Sequence, residues 1–424
     1  MPRTQDVLTD LNPWWRGEYR LEGYRERAIY GTLQRYLKVP QILALTGLRR
    51  VGKSTLLLKM AEDALAPLGP KRILYFSFDE FREVEVRDIL RDYETLNGVD
   101  IRSGRTLVLL DEVQKLAGWP DQIKALYDLH GKRVKFVVSG SESLFLRAGS
   151  KENLAGRLFE FRVEPLTFRE YLGFRGVPFE PLQLYRRELL REFDPFLRTQ
   201  GFPELVGVTD RAHTRRFLRE GVVEKVLFRD LPGLLGRRDL GVMESLLNLF
   251  VEEPGQIART EELAGTLRVS RKTVAQYLLY LERSFLLRKL YNFAPGRRKQ
   301  ERRLKKFYPA VLSPDLPFGA DALSRARTLE WLVVTQLRAE CFWRDPYKNE
   351  VDIVIPSKPP VPIEVKSEKV EVGGLLAFME KHGVRKGYVV SSDLKETRRI
   401  RGRTIEVIPA YEFLLDPPVP IGGS

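Results

Sequence analysis

Short apolar segments alternate with helical patterns over the first 165 residues of the chain. The segment at 41–46 is followed by a glycine loop and by a helical pattern from Ser54. Four apolar segments predict strands, at residues 41–46, 72–78, 106–110 and 134–139. Because strands separated by helices are typical of parallel sheets with crossover helices, we expect an α/β domain over residues 1–165, with residues 1–23 as an arm packed on it.

The pattern changes after residue 165. Helical patterns with charged faces and proline breaks predict a helical lid region over residues 166–255. Two short helical patterns, separated by a break at Arg268–Val269, predict a winged helix-turn-helix over 256–306. Strand patterns at 350–355, 361–366 and 386–391, with a helix at 329–339, predict a smaller α/β domain over 307–424.

The composition is that of a folded protein with a basic surplus. It contains 71 Lys+Arg and 57 Asp+Glu, a formal net charge of +14, and is 43% hydrophobic. Cys341 is the single cysteine, so it cannot form an internal disulfide, and the three scattered histidines do not suggest a zinc cluster. No apolar stretch approaches the ~18 residues of a membrane span. We therefore expect a soluble, cytoplasmic protein without membrane contact, and the charge permits a polyanionic partner without demanding one.

The sharpest motif is a phosphate-binding loop that follows the first predicted strand. Its glycines allow backbone N–H groups to point inward as an anion nest, and the following helix adds its positive end. Lys53 is expected to reach the β- and γ-phosphates, and Ser54 to hold Mg²⁺. The predicted nucleotide contacts are Gly47, Leu48, Arg49, Arg50, Val51, Gly52, Lys53, Ser54 and Thr55.

Two carboxylates end the third predicted strand, in the pattern of a Walker B motif. Asp111 is expected to hold Mg²⁺ through water and Glu112 to polarise the attacking water, so that Lys53 and Glu112 carry hydrolysis. Ser139, at the end of the fourth strand, is a predicted sensor between the γ-phosphate and water, although a plain turn is the alternative. Arg157 is a predicted charge-stabilising arginine, acting in cis or in trans.

These residues resemble the AAA-type archaeal and bacterial ATPase family, in which a P-loop core precedes a helical region, a winged helix and a restriction-endonuclease-like domain. The likeness rests on Leu45–Leu56, Leu110–Gln114, Val138–Ser141, Ala155–Arg157 and Gly201–Glu204. It implies ATP as the nucleotide, and a sheet in which the P-loop strand lies beside the Walker B and sensor strands.

The C-terminal domain carries a second group of charged residues on predicted strands. Asp352 and Glu364 are expected to face each other, with Lys366 on the same side as Glu364. Two carboxylates and a lysine suit metal-assisted phosphodiester hydrolysis with Mg²⁺, and Glu330 could add a ligand. The group resembles the D-x(n)-E-x-K pattern of restriction-endonuclease-like domains, although charged and apolar residues alternate on many strands with no such role.

The predicted helix-turn-helix has a polar surface at one end. Ser270 is a predicted N-cap, Val274, Leu278 and Leu281 an apolar stripe, and Arg271 the first of the outward polar side chains. The others are Lys272, Thr273 and Gln276, followed by seven basic residues between 297 and 306 that could contact phosphates. The alternative is a winged helix used only for contact between domains.

Together these patterns predict an Mg²⁺-dependent ATPase that acts on or with DNA. Two alternatives stay open: a nucleotide-dependent regulatory switch, and an ATPase that remodels proteins. In both, the C-terminal domain would be a non-catalytic binding or dimerisation module. Many AAA-type ATPases form rings, so a homo-oligomer is a further expectation.

Overall fold

The computed structural model describes residues 4–79, 81, 84–140, 154–232, 239–294, 296–301, 304–319 and 321–418 of the chain. The chain divides into two compact units, Met1–Pro165 and Leu166–Ser424. None of the described helices is long and apolar enough to cross a membrane.

A parallel sheet forms the centre of the first unit. Its strands are β1 Ile42–Thr46, β2 Ile73–Ser77, β3 Thr106–Asp111, β4 Val134–Ser139 and β5 Leu158–Arg162. They lie in the order β2-β3-β4-β1-β5, and every neighbouring pair is parallel. The first four agree with the predicted strands to within one residue at each end. The edge strand β5 was not predicted, because its sequence mixes apolar and charged residues.

The strand order corrects one expectation. The P-loop strand β1 lies beside the sensor strand β4, as expected, but the Walker B strand β3 lies on the far side of β4 and does not touch β1. Since parallel strands end at the same edge, the residue that ends β4 is placed between the P-loop and the end of β3.

Among the described residues of this unit, five α-helices accompany the sheet: α1 Thr4–Leu11, α2 Ala28–Tyr36, α3 Lys53–Leu68, α4 Val86–Asn97 and α5 Trp119–His130. Every residue of β1 and β3 is buried, as expected for central strands covered on both faces. The N-terminal arm packs on the edge strand β2. There the Asn12 side chain donates to Tyr75 O and accepts from Tyr75 N, which satisfies backbone groups that an edge strand would otherwise leave open.

The second unit begins with helices α6 Phe168–Arg175, α7 Arg186–Thr199, α8 Arg211–Arg216 and α9 Leu240–Glu252. Helix α8 continues in wider π-type turns over Phe217–Glu224 and Val226–Asp230. Phe168 and Phe196, from α6 and α7, share one hydrophobic core with Trp331 and Tyr411. The segment predicted as a lid is therefore packed, through its first helices, against the C-terminal residues of the same unit.

Two helices lie where the helix-turn-helix was predicted, α10 Thr260–Leu267 and α11 Arg271–Arg283. Around it lie β6 Gln256–Ala258, β7 Leu287–Asn292, the short helix α12 Arg297–Glu301, and β8 Lys305–Pro309. Ser270 Oγ accepts a hydrogen bond from Thr273 N across 3.0 Å, which makes Ser270 the N-cap of α11. Arg268, with φ +54°, makes the turn.

The remaining elements are α13 Ala322–Gln336, β9 Cys341–Arg344, β10 Glu350–Val351, β11 Ile353–Ile355, β12 Val361–Lys366, α14 Gly373–Lys381, β13 Lys386–Ser391, β14 Glu396–Ile400, β15 Arg403–Pro409 and α15 Ala410–Leu415. One sheet has the order β10-β9-β7-β8-β6, and the other β11-β12-β13-β15-β14. The predicted boundary at 306/307 thus falls inside β8, in a sheet that joins strands from both sides of it. The strand predicted at 350–355 is broken at Asp352, and its halves belong to different sheets.

Candidate functional site

The loop between β1 and α3 has a backbone that requires glycine at its first position. Gly47 has φ +146°, and a Cβ atom there would lie 2.2 Å from Val163 O. Gly52, with φ +93°, immediately precedes the first residue of α3. The loop therefore holds the torsions that a phosphate-binding nest needs, directly at a helix N-terminus.

Lys53 lies folded over this loop. Its Nζ donates to Gly47 O and Leu48 O, each at 2.9 Å, and the residue is 5% exposed. Of the other predicted contacts, Leu48 and Val51 have buried side chains, so only their backbone can face a ligand. The Arg49 and Arg50 side chains are half-buried, whereas Ser54 and Thr55 are exposed at the start of α3.

Asp111, the last residue of β3, is the point where several polar side chains meet. Its Oδ2 accepts from Ser54 Oγ at 2.5 Å and from Tyr75 Oη at 3.0 Å. Its Oδ1 accepts from Ser139 Oγ and, at 3.1 Å, from Glu112 N. A hydroxyl and a carboxylate in contact are hard oxygen donors, so the chemistry of Ser54 and Asp111 fits Mg²⁺.

Ser139 is fully buried, and its hydroxyl bonds to Asp111. It thus orients the Walker B carboxylate, and the sensor role towards a γ-phosphate stays a prediction. Ser141, from the same predicted motif, lies outside the described residues.

Glu112 occupies a strained backbone position beside Asp111. Its φ of +55° is uncommon for a residue other than glycine. Gln114 Nε2 donates to Glu112 Oε2 at 2.6 Å, and Lys115 Nζ lies 4.0 Å from the same oxygen. Burial raises the pKa of the Glu112 carboxyl, whereas the positive charge of Lys53 acts against this rise. The raised pKa makes its carboxylate a better proton acceptor.

One residue that was not predicted from the sequence supports the P-loop through hydrogen bonds. Arg27, just before α2, is buried, and its guanidinium donates to Val51 O and to Glu164 O, each at 2.7 Å. It therefore ties the P-loop to the segment that follows β5. No motif marks Arg27, since it lies 20 residues before the loop and is one of 71 basic residues.

The structure places Arg157 away from the P-loop of its own chain. It immediately precedes β5, and Ile42 N donates to Arg157 O, so it lies at the amino ends of the strands. Five residues of β1 separate this edge from the loop, about 16 Å. The Arg157 guanidinium instead pairs with Asp128, with Nε at 2.8 Å from Oδ1. The predicted contact in cis is therefore wrong, and only the alternative in trans stays open.

The C-terminal charged group is more extensive than predicted, because Lys306 on β8 enters it. Lys306 Nζ lies 2.7 Å from Glu330 Oε1, 3.0 Å from Glu350 Oε1 and 3.5 Å from Asp352 Oδ1. Tyr308 Oη donates to Glu330 Oε1 at 2.6 Å. We call Lys306, Glu330, Glu350, Asp352, Glu364 and Lys366 the acidic cluster. Its Lys306 is 4% exposed, so the predicted role of this lysine as a phosphate contact is wrong.

The three predicted residues of this cluster do come together. Asp352 Oδ2 accepts from Val365 N at 2.9 Å, beside Glu364, and Lys366 Nζ lies 2.7 Å from Glu364 Oε1. Glu364 Oε2 is buried without a hydrogen-bond partner. Burial, together with the charge of Asp352, raises the pKa of Glu364 to about 8.

The cluster does not fit a divalent metal as it stands. Its oxygen donors are of the right kind for Mg²⁺, but lysine ammonium groups contact them. Across the described parts of the chain, no group of three or more acidic, histidine or cysteine side chains is arranged so that it could hold a metal ion. The predicted metal role of Asp352 and Glu364 therefore has no assembled ligand set here.

Comparison with known families bears on the nucleotide site. Residues 39–172, which include the P-loop, Asp111 and Glu112, match the family model described as an AAA domain. The first unit therefore contains an AAA domain. Residues 191–310 match a second model, a domain of unknown function (DUF8612).

Other proteins resemble a larger share of the chain. An uncharacterized protein of Methanocaldococcus jannaschii is 26% identical over 88% of this chain and 85% of its own length. An uncharacterized protein of Haemophilus influenzae is 27% identical over 58% of this chain and 62% of its own length. A solved structure of the Aeropyrum pernix ORC1 protein in complex with DNA covers 78% of this chain and 90% of that chain, at 18% identity. Its TM-score of 0.31 is too low to support an inference here.

The helix-turn-helix lies outside the AAA domain, within residues 191–310. Val274, Tyr277 and Leu281 are its buried face, whereas Leu278, predicted for this stripe, is half-buried. Arg271 and Lys272 are exposed at the first turn of α11. In the basic segment Arg298 and Lys299 are exposed; Arg302, Arg303 and the Arg297 side chain lie outside what the structure describes.

Proposed function

We propose that this chain is an Mg²⁺-dependent ATPase whose AAA domain binds and hydrolyses ATP. The observation that carries the proposal is the convergence of Lys53 and Ser54, at the start of α3, with Asp111 and Glu112, at the end of β3. Ser54 and Asp111 are in direct contact, and Lys53 and Glu112 are close enough for the lysine charge to act on the pKa of the carboxyl. These are the groups that phosphoryl transfer to water requires.

Each group has a separate task in the proposed reaction. The loop N–H groups and Lys53 bind and orient the phosphates, for which the lysine must turn from its two carbonyl partners. Bound Mg²⁺ would neutralise charge on the phosphate oxygens, held by Ser54 and Asp111. Glu112, kept in place by Gln114, accepts a proton from the attacking water.

Phosphate release and nucleotide binding, measured on the full-length chain with and without Mg²⁺, test this assignment. Lys53→Ala should abolish ATP binding, whereas Glu112→Gln should bind ATP without turnover. Two matched controls should retain activity. Lys59→Ala replaces a lysine on the same helix that is paired with Glu62 and Asp63, and Glu85→Gln replaces an exposed carboxylate. Full ATPase activity in Lys53→Ala or Glu112→Gln would refute the proposal.

For the partner, DNA is the candidate that the second unit favours. A capped helix with Arg271 and Lys272 exposed at its N-terminal turn suits entry into a major groove, and Arg298 and Lys299 suit phosphate contacts. ATP turnover with and without added duplex DNA separates the possibilities. Stimulation is expected; turnover indifferent to DNA would instead favour the regulatory switch or the protein-remodelling ATPase.

A nuclease activity of the acidic cluster is a second hypothesis, supported by the convergence of Asp352, Glu364 and Lys366. Incubation of plasmid with the protein and Mg²⁺ or Mn²⁺, beside Asp352→Ala, tests it. Cleavage that Asp352→Ala abolishes would establish the activity. Cleavage that survives the substitution would come from a contaminant, and no cleavage would leave the C-terminal residues a binding or dimerisation module.

Arg157 could act on ATP only as part of an assembly of several chains. Light scattering with and without a non-hydrolysable ATP analogue measures the oligomeric state. If Arg157 acts in trans, Arg157→Ala should lower turnover of the assembled protein without changing nucleotide affinity. A monomer with full ATPase activity would exclude this role.

A further inference from the structure

The ammonium of Lys306 lies where three carboxylates from separate segments converge. Glu330 comes from helix α13, Glu350 from β10, and Asp352 from the bend between β10 and β11. All three have an oxygen within 3.5 Å of Lys306 Nζ. Several carboxylate oxygens around one small positive charge form the environment that a bound cation occupies in a protein.

The cluster also contains oxygen that lacks a partner. Glu364 is 7% exposed, and its Oε2 is buried with no hydrogen bond, although Lys366 pairs with its other oxygen. A buried carboxylate oxygen without a partner is costly, and here it lies beside Asp352. The cluster therefore offers a ligand atom that neither lysine satisfies.

The charges indicate what Lys306 contributes. Four carboxylates belong to the cluster: Glu330, Glu350, Asp352 and Glu364. Three cationic side chains contact them, since Arg344 Nη1 also lies 3.0 Å from Glu350 Oε2. Without Lys306, the four carboxyl groups would face only the two cationic side chains of Lys366 and Arg344, so another cation would be attracted to the place of the ammonium.

We propose that Lys306 is the resident cation of the acidic cluster and that it excludes a divalent cation from it. The carboxylates surround the position of one cation, and the chain fills that position with its own ammonium, from the last residue of the basic segment on β8. The affinity of the cluster for a divalent metal is therefore set by whether Lys306 is present. This goes beyond the proposed ATPase, and it is an alternative to the metal-dependent nuclease, because a cluster that excludes divalent cations could not support that activity.

Binding of Mn²⁺ to the chain in the absence of nucleotide tests the proposal. Electron paramagnetic resonance measures the concentration of free Mn²⁺. Lys306→Met should bind one more Mn²⁺ per chain than the wild type. The affinity of the acidic cluster for Mn²⁺ should be at least tenfold higher than in the wild type. Its Tm should be lower than that of the wild type and should recover when Mn²⁺ is added. Lys305→Met, on the preceding residue, whose ammonium lies 5.9 Å from the Tyr291 ring, is the matched control and should behave as the wild type.

The result must also depend on the carboxylates. Lys306→Met with Asp352→Asn should return Mn²⁺ binding to the wild-type level, whereas equal Mn²⁺ affinity in the wild type and in Lys306→Met would overturn the proposal. So would a gain in affinity that survives Asp352→Asn. If Lys306→Met does not fold, the charge-balanced pair Lys306→Met and Glu330→Gln is compared with Glu330→Gln alone, with the same criterion. Because no nucleotide is present, failure here leaves the ATPase proposal untouched.

Discussion

Ser54 Oγ and Asp111 Oδ2 lie 2.5 Å apart, so the hydroxyl that opens α3 and the carboxylate that ends β3 are in direct contact. In the sheet, one strand, β4, lies between β3 and the strand β1 that leads into the P-loop. Ser139, which ends β4, bridges that gap through its own hydrogen bond to Asp111. Hydroxyl groups of Ser54, Tyr75 and Ser139 thus position the Asp111 carboxylate.

Ser139→Ala should weaken the use of Mg²⁺ more than the chemical step. The substitution removes a hydroxyl bond to a carboxylate, worth about 1.5 kcal/mol, while Ser54 and Tyr75 still hold Asp111. We expect the Mg²⁺ concentration for half-maximal ATPase activity to rise about tenfold, with little change at saturating Mg²⁺. A titration of Mg²⁺ at fixed ATP measures this, with the exposed Ser103→Ala as control. A fall in kcat at saturating Mg²⁺, with no change in half-saturation, would instead indicate a sensor of the γ-phosphate.

Arg27→Met should destabilise the first unit and loosen its P-loop. The variant leaves Val51 O and Glu164 O without their charged donor, at a cost of about 3 kcal/mol in the free energy of unfolding. Urea denaturation measures this loss, and nucleotide titration should show weaker ATP binding. Arg35→Met, on the exposed side of α2, is the control. Unchanged stability and affinity in Arg27→Met would rule out this anchoring role.

The site residues that were predicted from the sequence differ from those that were not in how the fold brings them together. Lys53, Ser54, Asp111 and Glu112 follow apolar strands directly, and parallel strands deliver their ends to one edge of the sheet. Arg27 and Lys306 reach their sites only through tertiary packing. Lys306 lies 46 residues from Asp352 along the chain, so local patterns contain no signal for that contact.

Similar reasoning explains the errors. Arg157 belongs to a plausible motif, but it precedes β5. A residue that precedes a parallel strand lies at the edge of the sheet opposite the phosphate loop. The segment 350–355 alternates as one strand would, yet it bends at Asp352 because its two halves pair with β9 and β12 in different sheets. The alternation of apolar and polar residues indicates which face of a strand is buried, but it does not indicate which strand pairs with it.

Cys341 should react slowly with thiol reagents in the folded protein. It lies on β9 opposite Tyr291 of β7, is 4% exposed, and burial raises the pKa of its thiol to about 11. At pH 8 about one thiol in a thousand is then ionised, and the rate should rise about tenfold per pH unit until the pKa is approached. Absorbance with an aromatic disulfide reagent measures the rate, with urea-unfolded protein as the reference and Cys341→Ser as the blank. Fast, complete labelling of the folded chain would mean that β7 and β9 separate readily.

DNA binding through α11 should depend steeply on salt. Arg271 and Lys272 are exposed at its first turn, and although Arg271 Nη1 lies 3.3 Å from Glu261 Oε1, an exposed pair of this kind is weak and can exchange for phosphate. Replacing both with alanine should weaken duplex binding and reduce the slope of log K against log salt by up to about two. Fluorescence anisotropy with a labelled duplex from 50 to 200 mM salt, a range of about a factor of four, measures both quantities.

Arg187→Ala with Arg191→Ala, an exposed pair on α7, removes the same charge and is the control. If both double variants lose affinity equally, the attraction comes from net charge and α11 has no special role. A wild-type affinity that does not change with salt would exclude a phosphate-contacting interface altogether.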